Sequence, residues 1–128
     1  MNIDKIKNVL AEEGFRPEVD EDGDLLFKYE GSTYFIDTED DDKYFIKIVL
    51  PNFWEIESEE ERNLASKVAL ETTASVKAAK VFPVNDDMWA AVEFFLPNEE
   101  ALAPILSRLL DVVSGTAGMF AEGMQAES

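Results

Sequence analysis

Residues 58–96 read SEEERNLASKVALETTASVKAAKVFPVNDDMWAAVEFFL, and this stretch decides the fold. Its first half has helical features: Ser58 is a preferred N-cap residue, and Glu61 follows three positions later, as in a capping box. Small and apolar residues then recur at helical spacing, namely Leu64, Ala65, Val68, Ala69 and Thr72. This stripe of small side chains predicts a helix that sits close to a sheet.

The second half of the stretch changes to a period of two residues. The helix is predicted to end near Thr73, and residues 76–82 and 88–96 then alternate as strands do. The segment between these two strands reads as a turn. In the second strand, Trp89 and Phe95 share one face. The stretch therefore predicts a helix followed by a β-hairpin.

The residues before this stretch predict a helix and four strands. Apolar residues at helical spacing indicate a first helix that Asn2 or Asp4 caps and Gly14 ends. Strand patterns follow over 16–19, 25–29, 33–37 and 43–50, with an acidic loop at 38–42. The connections between these strands are too short for parallel crossovers, so the strands are predicted to be antiparallel.

Two expectations concern the segments beside these elements. Pro51 is expected to stop the fourth strand, which makes residues 51–57 a connector that carries Phe53 and Trp54. After the hairpin, residues 98–113 form the last helix, capped by Asn98 and either bent or shifted in its start by Pro104.

The end of the chain is expected to lie outside the ordered core. Gly115 and Gly118 weaken the last helix, so the predicted core covers about residues 3–118 of a single domain, 1–128. The tail, 119–128, is predicted to be flexible unless another surface covers it. The complete order is α-β-β-β-β-α-β-β-α, which indicates an α+β fold with an antiparallel sheet of five to six strands and three helices.

The composition excludes several function classes. The chain has 28 acidic and 11 basic residues, a net charge of −17, so nucleic acid and anionic membranes would be repelled. It has no cysteine and no histidine, which removes disulfides, the commonest general base and the commonest transition-metal ligand. An enzyme is therefore not expected, and no cofactor or catalytic residue is predicted. The N-terminus lacks a signal-peptide pattern and no apolar run is long enough to span a membrane, so a cytoplasmic protein is expected.

The acidic turn after the first short strand shares part of the pattern of a calcium-binding EF-hand loop. When Glu18 is placed first, acidic residues and Gly23 fall at the required positions, but the twelfth position is Tyr29 instead of a bidentate glutamate. Strands flank the turn where helices are needed. A solvated hairpin turn is therefore predicted, and no metal site.

Aromatic and apolar residues are the better candidates for a binding site. If helices cover one face of the sheet, the other face keeps a mixed apolar surface, and such a surface is typical of an interface. The alternative is that these rings pack under the helices or the connector. The candidate partner-binding residues are Phe53, Trp54, Trp89, Phe95, Met119 and Phe120, of which the last two suggest a homodimer formed through the tail.

Segments spread over about 3–113 resemble the YbjN-like family of small bacterial proteins, a family named for sensory transduction. The resemblance rests on Val9-Leu10 with Gly14-Phe15, on DLLFKYEGSTYFID and KYFIKIVLP, and on ERNLASKVALETTASVKAAKVFPV and DMWAAVEFFL. Members often have several asparagines around the middle helix, whereas only Asn63 stands there in this chain.

The resemblance implies a fold similar to that of type III secretion chaperones, which are small, acidic, often dimeric and bind extended segments of client proteins. It also implies a bacterial source. The expected function is a non-enzymatic protein-binding module, chaperone-like or regulatory, whose partner is basic or extended. The alternative is a small-molecule or metal-ion sensor with a pocket between the sheet and the helices.

Overall fold

Helices and strands follow one another in the order that the sequence predicts. The computed structural model describes residues 1–37 and 41–127; residues 38–40 of the predicted acidic loop lie outside this description. The order α-β-β-β-β-α-β-β-α confirms the α+β class. The elements are α1 (Ile3–Glu12), β1 (Glu18–Val19), β2 (Leu25–Tyr29), β3 (Ser32–Asp37), β4 (Phe45–Glu55), α2 (Glu59–Ser75), β5 (Ala79–Val84), β6 (Asp87–Phe95) and α3 (Leu106–Glu127).

The six strands form one antiparallel sheet in the order β1-β2-β3-β4-β6-β5. Tight turns join the hairpins. Glu30 and Gly31 both have positive φ, 49° and 83°, as a type I′ turn requires, and this turn matches the right-handed twist of the strands it joins. Between β5 and β6 the turn is shorter than predicted: Asn85, with φ 55°, and Asp86 alone connect the strands.

All three helices pack on the same face of the sheet. Their buried side chains form one core cluster with alternate residues of the strands, which include Phe27, Ile36, Ile48 and Val92. Since successive side chains of a strand point to opposite faces, the residues between these positions lie on the other face. No helix of the described residues covers that second face.

Helix α2 begins as its sequence predicts. Ser58 Oγ accepts a hydrogen bond from the Glu61 backbone N–H at 3.0 Å, and Glu61 Oε1 accepts one from the Glu57 backbone N–H at 2.8 Å. In the predicted capping box Glu61 would accept from the N–H of Ser58 itself, whereas here it accepts from the N–H of Glu57, one residue earlier. The buried residues of α2 are four of the five in the predicted stripe, Ala65, Val68, Ala69 and Thr72.

The prediction that Pro51 ends the fourth strand is wrong. Strand β4 continues to Glu55, and a bulge lies between Leu50, which pairs with Ala90, and Trp54, which pairs with Met88. Asn52 adopts φ 52° within the bulge. Proline is tolerated there because a bulge interrupts the ladder of backbone hydrogen bonds. Phe53 and Trp54 are therefore strand residues, not connector residues.

The predicted boundary of the ordered core near residue 118 falls inside α3, which continues to Glu127. Phe120 and Met124 are buried in the core, with 0% and 2% of their surface exposed. Pro104 shifts the start of this helix, as one of the two predictions stated. A 3-10 segment capped by Asn98 spans Glu99–Ile105, and the α-helix begins after it.

Candidate functional site

The uncovered face of the sheet, here called the open face, carries an apolar row that crosses four strands and ends at a lysine on the fifth. The strand register places Leu26 of β2 beside Phe35 of β3, then Val49 of β4, Ala91 of β6 and Lys80 of β5. The other side chains of the open face are Glu18, Lys28, Thr33, Asp37, Phe45, Lys47, Glu55, Phe82, Val84, Asp87, Trp89, Glu93 and Phe95.

Trp89 stands at the centre of a ring cluster on the open face. The ring of Phe35 meets it edge-on at 5.6 Å, and the ring of Phe82 lies 6.4 Å away on its other side. Trp89 Nε1 donates a hydrogen bond to Asn52 Oδ1 at 2.9 Å, so the β4 bulge fixes the orientation of the indole. The floor residue Val49 has no exposed surface. This cluster is a partly exposed, rigid aromatic platform.

A second aromatic pair lies on the open face where β4 begins and β6 ends. Phe45 and Phe95 pair across the strands, with ring centroids 5.7 Å apart. Phe95 is 70% exposed, and the neighbouring Tyr44 is 46% exposed. A phenyl ring this exposed makes little contribution to the core, so its burial by a partner would gain most of the side chain's hydrophobic free energy.

Charged residues border the aromatic platform. Glu93 lies 2.8 Å from Lys80 Nζ and 3.5 Å from Lys47 Nζ, and both ammonium groups lie over the Phe82 ring, at 5.3 and 5.6 Å from its centroid. The hydrogen bond from Lys80 is the largest cause that holds the pKa of Glu93 below its usual range; the charges of both lysines add to it, and burial opposes it. The cluster fixes the lysine side chains beside the rings.

We predict that Glu93→Gln lowers stability at neutral pH but not in acid. A carboxyl whose pKa is lowered in the folded state stabilises the fold above its unfolded pKa, near 4.5, and this stabilisation is lost as pH falls through the folded pKa. The loss at pH 7 should be at most about 1 kcal/mol because the pair is partly solvated. Urea unfolding at pH 7 and pH 3 measures it, with the exposed Glu71→Gln as control. An equal deficit at both pH values would contradict the assignment.

The sequence-predicted binding residues do not form one site. Trp89 and Phe95 lie on the open face, as the alternation of β6 predicts. Phe53 and Trp54 lie on the helix side, where their rings contact Phe120 edge-on at centroid distances of 5.6 and 5.8 Å. These two rings therefore pack against α3, as the packing alternative describes. Met119 is 43% exposed, but on α3, away from the open face.

A cleft of about 550 Å³ adjoins the open face at the β1–β2 side of the sheet. Phe15, Leu26 and Phe27 supply its apolar lining. Arg16, Glu18, Lys28 and Thr33 surround them. The cleft therefore lies between the α1–β1 connection and the outer strands, and not between the sheet and the helices as the sensor alternative expects. Nothing in the local sequence pattern predicts it.

On the helix side, two tyrosines connect the sheet to α3. The Tyr29 hydroxyl donates a short hydrogen bond to Asp111 Oδ1, which raises the Tyr29 pKa to about 12. Burial raises the pKa of Tyr34, whose hydroxyl also bonds Ser114. Both phenols therefore stay protonated at neutral pH, which suits a structural contact and not a nucleophile or base. Tyr29 and Asp111 are 82 residues apart in sequence, so no short-range sequence pattern predicts their hydrogen bond.

The acidic turn behaves as a turn. Asp20 Oδ1 accepts hydrogen bonds from the backbone N–H groups of Asp22 and Asp24, both at 2.9 Å, so this carboxylate stabilises the loop conformation. Within residues 1–37 and 41–127, no three acidic side chains converge in a way that could hold a metal ion. In the same residues, no helix is both long and apolar enough to cross a membrane.

Comparison with known proteins adds no functional assignment. No protein-family model matches the chain, and none of the curated proteins matches it.

Proposed function

We propose that this chain is a non-enzymatic protein-binding module, chaperone-like or regulatory, that engages its partner through the open face. The observation that carries the proposal is the 70% exposure of Phe95 on the same sheet face as the platform of Phe35, Phe82 and Trp89. Exposed aromatic side chains that neighbouring contacts hold rigid are typical binding hot spots, because they bury much apolar area at a small cost in conformational entropy.

The charge of the chain supports a partner with basic character. A net charge of −17 accelerates association with a positively charged surface and opposes association with nucleic acid and anionic membranes. The YbjN-like resemblance supports a bacterial, cytoplasmic setting and a chaperone-like role. A homodimer remains part of the proposal, but Phe120 and Met124 are buried within the monomer. Of the two tail residues that suggest a homodimer, only Met119 is therefore exposed enough to contact a second copy.

We predict that Phe95→Ser reduces the capture of partner proteins from native lysate at low salt. The substitution removes an exposed ring, so the fold should keep its stability. Leu70→Ser is the matched control, because Leu70 is 75% exposed on α2, on the helix side of the molecule. Quantitative mass spectrometry of the captured proteins compares wild type with both variants. The proposal fails if both variants capture the same proteins as wild type.

The cleft favours a second candidate, a small-molecule sensor. Its volume of about 550 Å³ is within the usual range for ligand pockets, and its lining combines apolar floor with charged groups. A ligand that binds the folded state raises Tm. A metabolite that raises Tm of wild type but not of Thr33→Trp, a substitution placed to fill the cleft, would favour this candidate.

A further inference from the structure

The two edges of the sheet are poor sites for an added strand. Along β5, the backbone N–H and C=O groups of alternate residues point away from β6. An added strand would have to form hydrogen bonds with these groups. The Val81 N–H already donates to Thr73 Oγ1 of α2 at 3.0 Å, and Pro83 has no N–H. At the other edge β1 has only two residues and follows Pro17. Short edges and edge prolines are the usual means by which sheets avoid strand addition.

The open face favours a different kind of occupant. Strands β3, β4 and β6 each have a neighbouring strand on both sides, so a peptide lying across them meets mainly side chains. An extended segment there would leave its own N–H and C=O groups without protein partners. A helix satisfies these groups internally and can place an apolar stripe on the rings. The helix side of this sheet is covered in the same way.

Charge on the open face is balanced in the middle and negative at both ends of the strands. Three lysines, at positions 28, 47 and 80, stand among the apolar residues with three acids, at positions 18, 37 and 93. Turns and strand ends at one end carry the exposed Glu21, Asp22 and Asp41 against one lysine, Lys43, and those at the other end carry Glu30, Glu55 and Asp87. A complementary segment is apolar in its centre and basic at both ends.

The span of the face sets the length of that segment. From Asp87, which pairs with Glu55, to Phe95, which pairs with Phe45, β6 crosses about 27 Å, at 3.4 Å per residue. At 1.5 Å per residue, a helix of about 18 residues covers this distance and reaches both acidic ends.

We infer that the open face receives a basic amphipathic helix of a partner protein, of about five turns, with lysine or arginine at both ends. The inference rests on the proposed function and assigns the partner's secondary structure and charge. The apolar stripe of the helix lies on Phe35, Phe82, Trp89 and Phe95, and its basic ends face the acidic ends of the strands.

Three synthetic 20-residue peptides test this assignment by fluorescence anisotropy at 150 mM salt. The first has leucine and lysine at helical spacing. The second has the same composition in strict alternation, which favours a strand, and the third replaces every lysine of the first with glutamate. We expect the first to bind, the second to bind at least about tenfold more weakly, and the third not to bind. Equal binding of the first two peptides overturns the inference.

Protein variants locate the binding. Phe82→Ser with Phe95→Ser should weaken binding of the first peptide by about tenfold or more, whereas Leu70→Ser should not change it. Asp41→Asn with Glu55→Gln should weaken it more than Glu59→Gln with Glu60→Gln, although both pairs change the net charge equally. Equal effects of the two pairs would mean non-specific attraction and overturn the inference. Circular dichroism checks that each variant is folded.

Two further outcomes separate this inference from the proposed function. If lysate proteins are captured through Phe95 but no helical peptide binds, the protein-binding function stands and the helical assignment is overturned. If light scattering gives a dimer that Phe95→Ser dissociates, the occupant of the open face is a second copy of the chain, and the helical assignment is again overturned.

Discussion

Replacing Phe120 with alanine is expected to lower the free energy of unfolding by about 3–5 kcal/mol, the usual cost of truncating a fully buried aromatic residue. Phe120 has no exposed surface, and the rings of Phe53 and Trp54 both contact it edge-on. Truncation removes these contacts and leaves a cavity between α3 and the end of β4. The rings around the cavity are held by the sheet, so they can fill it only in part.

Urea unfolding monitored by tryptophan fluorescence measures this effect, because Trp54 reports directly on the site. The adjacent Met119 provides the control: it is 43% exposed, and Met119→Ala should change stability by less than about 0.5 kcal/mol. If both variants have the same small effect, the end of α3 does not belong to the core, and the boundary near residue 118 that the sequence predicts would be correct.

The sequence contains the signal for this part of α3, but a competing signal obscures it. Val113, Ala117, Phe120 and Met124 are all buried and are spaced by four, three and four residues, which is a helical stripe. The nearby glycines reduce helix propensity and suggest that the helix ends early. Tertiary packing decides the outcome, because burial of this stripe outweighs about 1 kcal/mol of propensity for each glycine.

Local signals predict the starts and turns of elements well, and register less well. The cap at Ser58 and the turn at Glu30-Gly31 depend on residues within four positions, so the sequence contains all that is needed. The β4 bulge depends on the pairing of β4 with β6, about 40 residues later in the chain. Pro51 therefore looks like the end of a strand when it is considered without β6.

The candidate site shows the same division. Alternation along β6 predicts that Trp89 and Phe95 share a face. Once it is known which face the helices cover, their position on the uncovered face follows. The positions of Phe53 and Trp54 follow from the path of α3, and the cleft follows from the path of the α1–β1 connection. Neither path is encoded in the local pattern of these residues.

Gly123→Ala should destabilise the fold although alanine is the better helix former. Gly123 lies on α3 where α2 approaches, and an added Cβ would stand 2.7 Å from Val68 Cγ1. Val68 is 2% exposed and β-branched, so its χ1 cannot change without strain. Overpacking of this kind costs about 1–3 kcal/mol, which exceeds the gain of up to about 1 kcal/mol in helix propensity.

Gly118→Ala separates the gain in helix propensity from the cost of overpacking, because a Cβ at Gly118 would meet no atom within 4 Å. This variant should be more stable than wild type by about 0.5–1 kcal/mol. Val68→Ala removes the obstructing methyl group, so adding Gly123→Ala to it should cost at least about 1 kcal/mol less than adding the same substitution to wild type. Thermal unfolding of Gly118→Ala, Gly123→Ala, Val68→Ala and the Val68→Ala/Gly123→Ala double variant measures these differences. If Gly123→Ala stabilises the protein as much as Gly118→Ala does, α2 and α3 are farther apart than the contact with Val68 requires. The missing side chain of Gly123 would then not be what allows the two helices to approach.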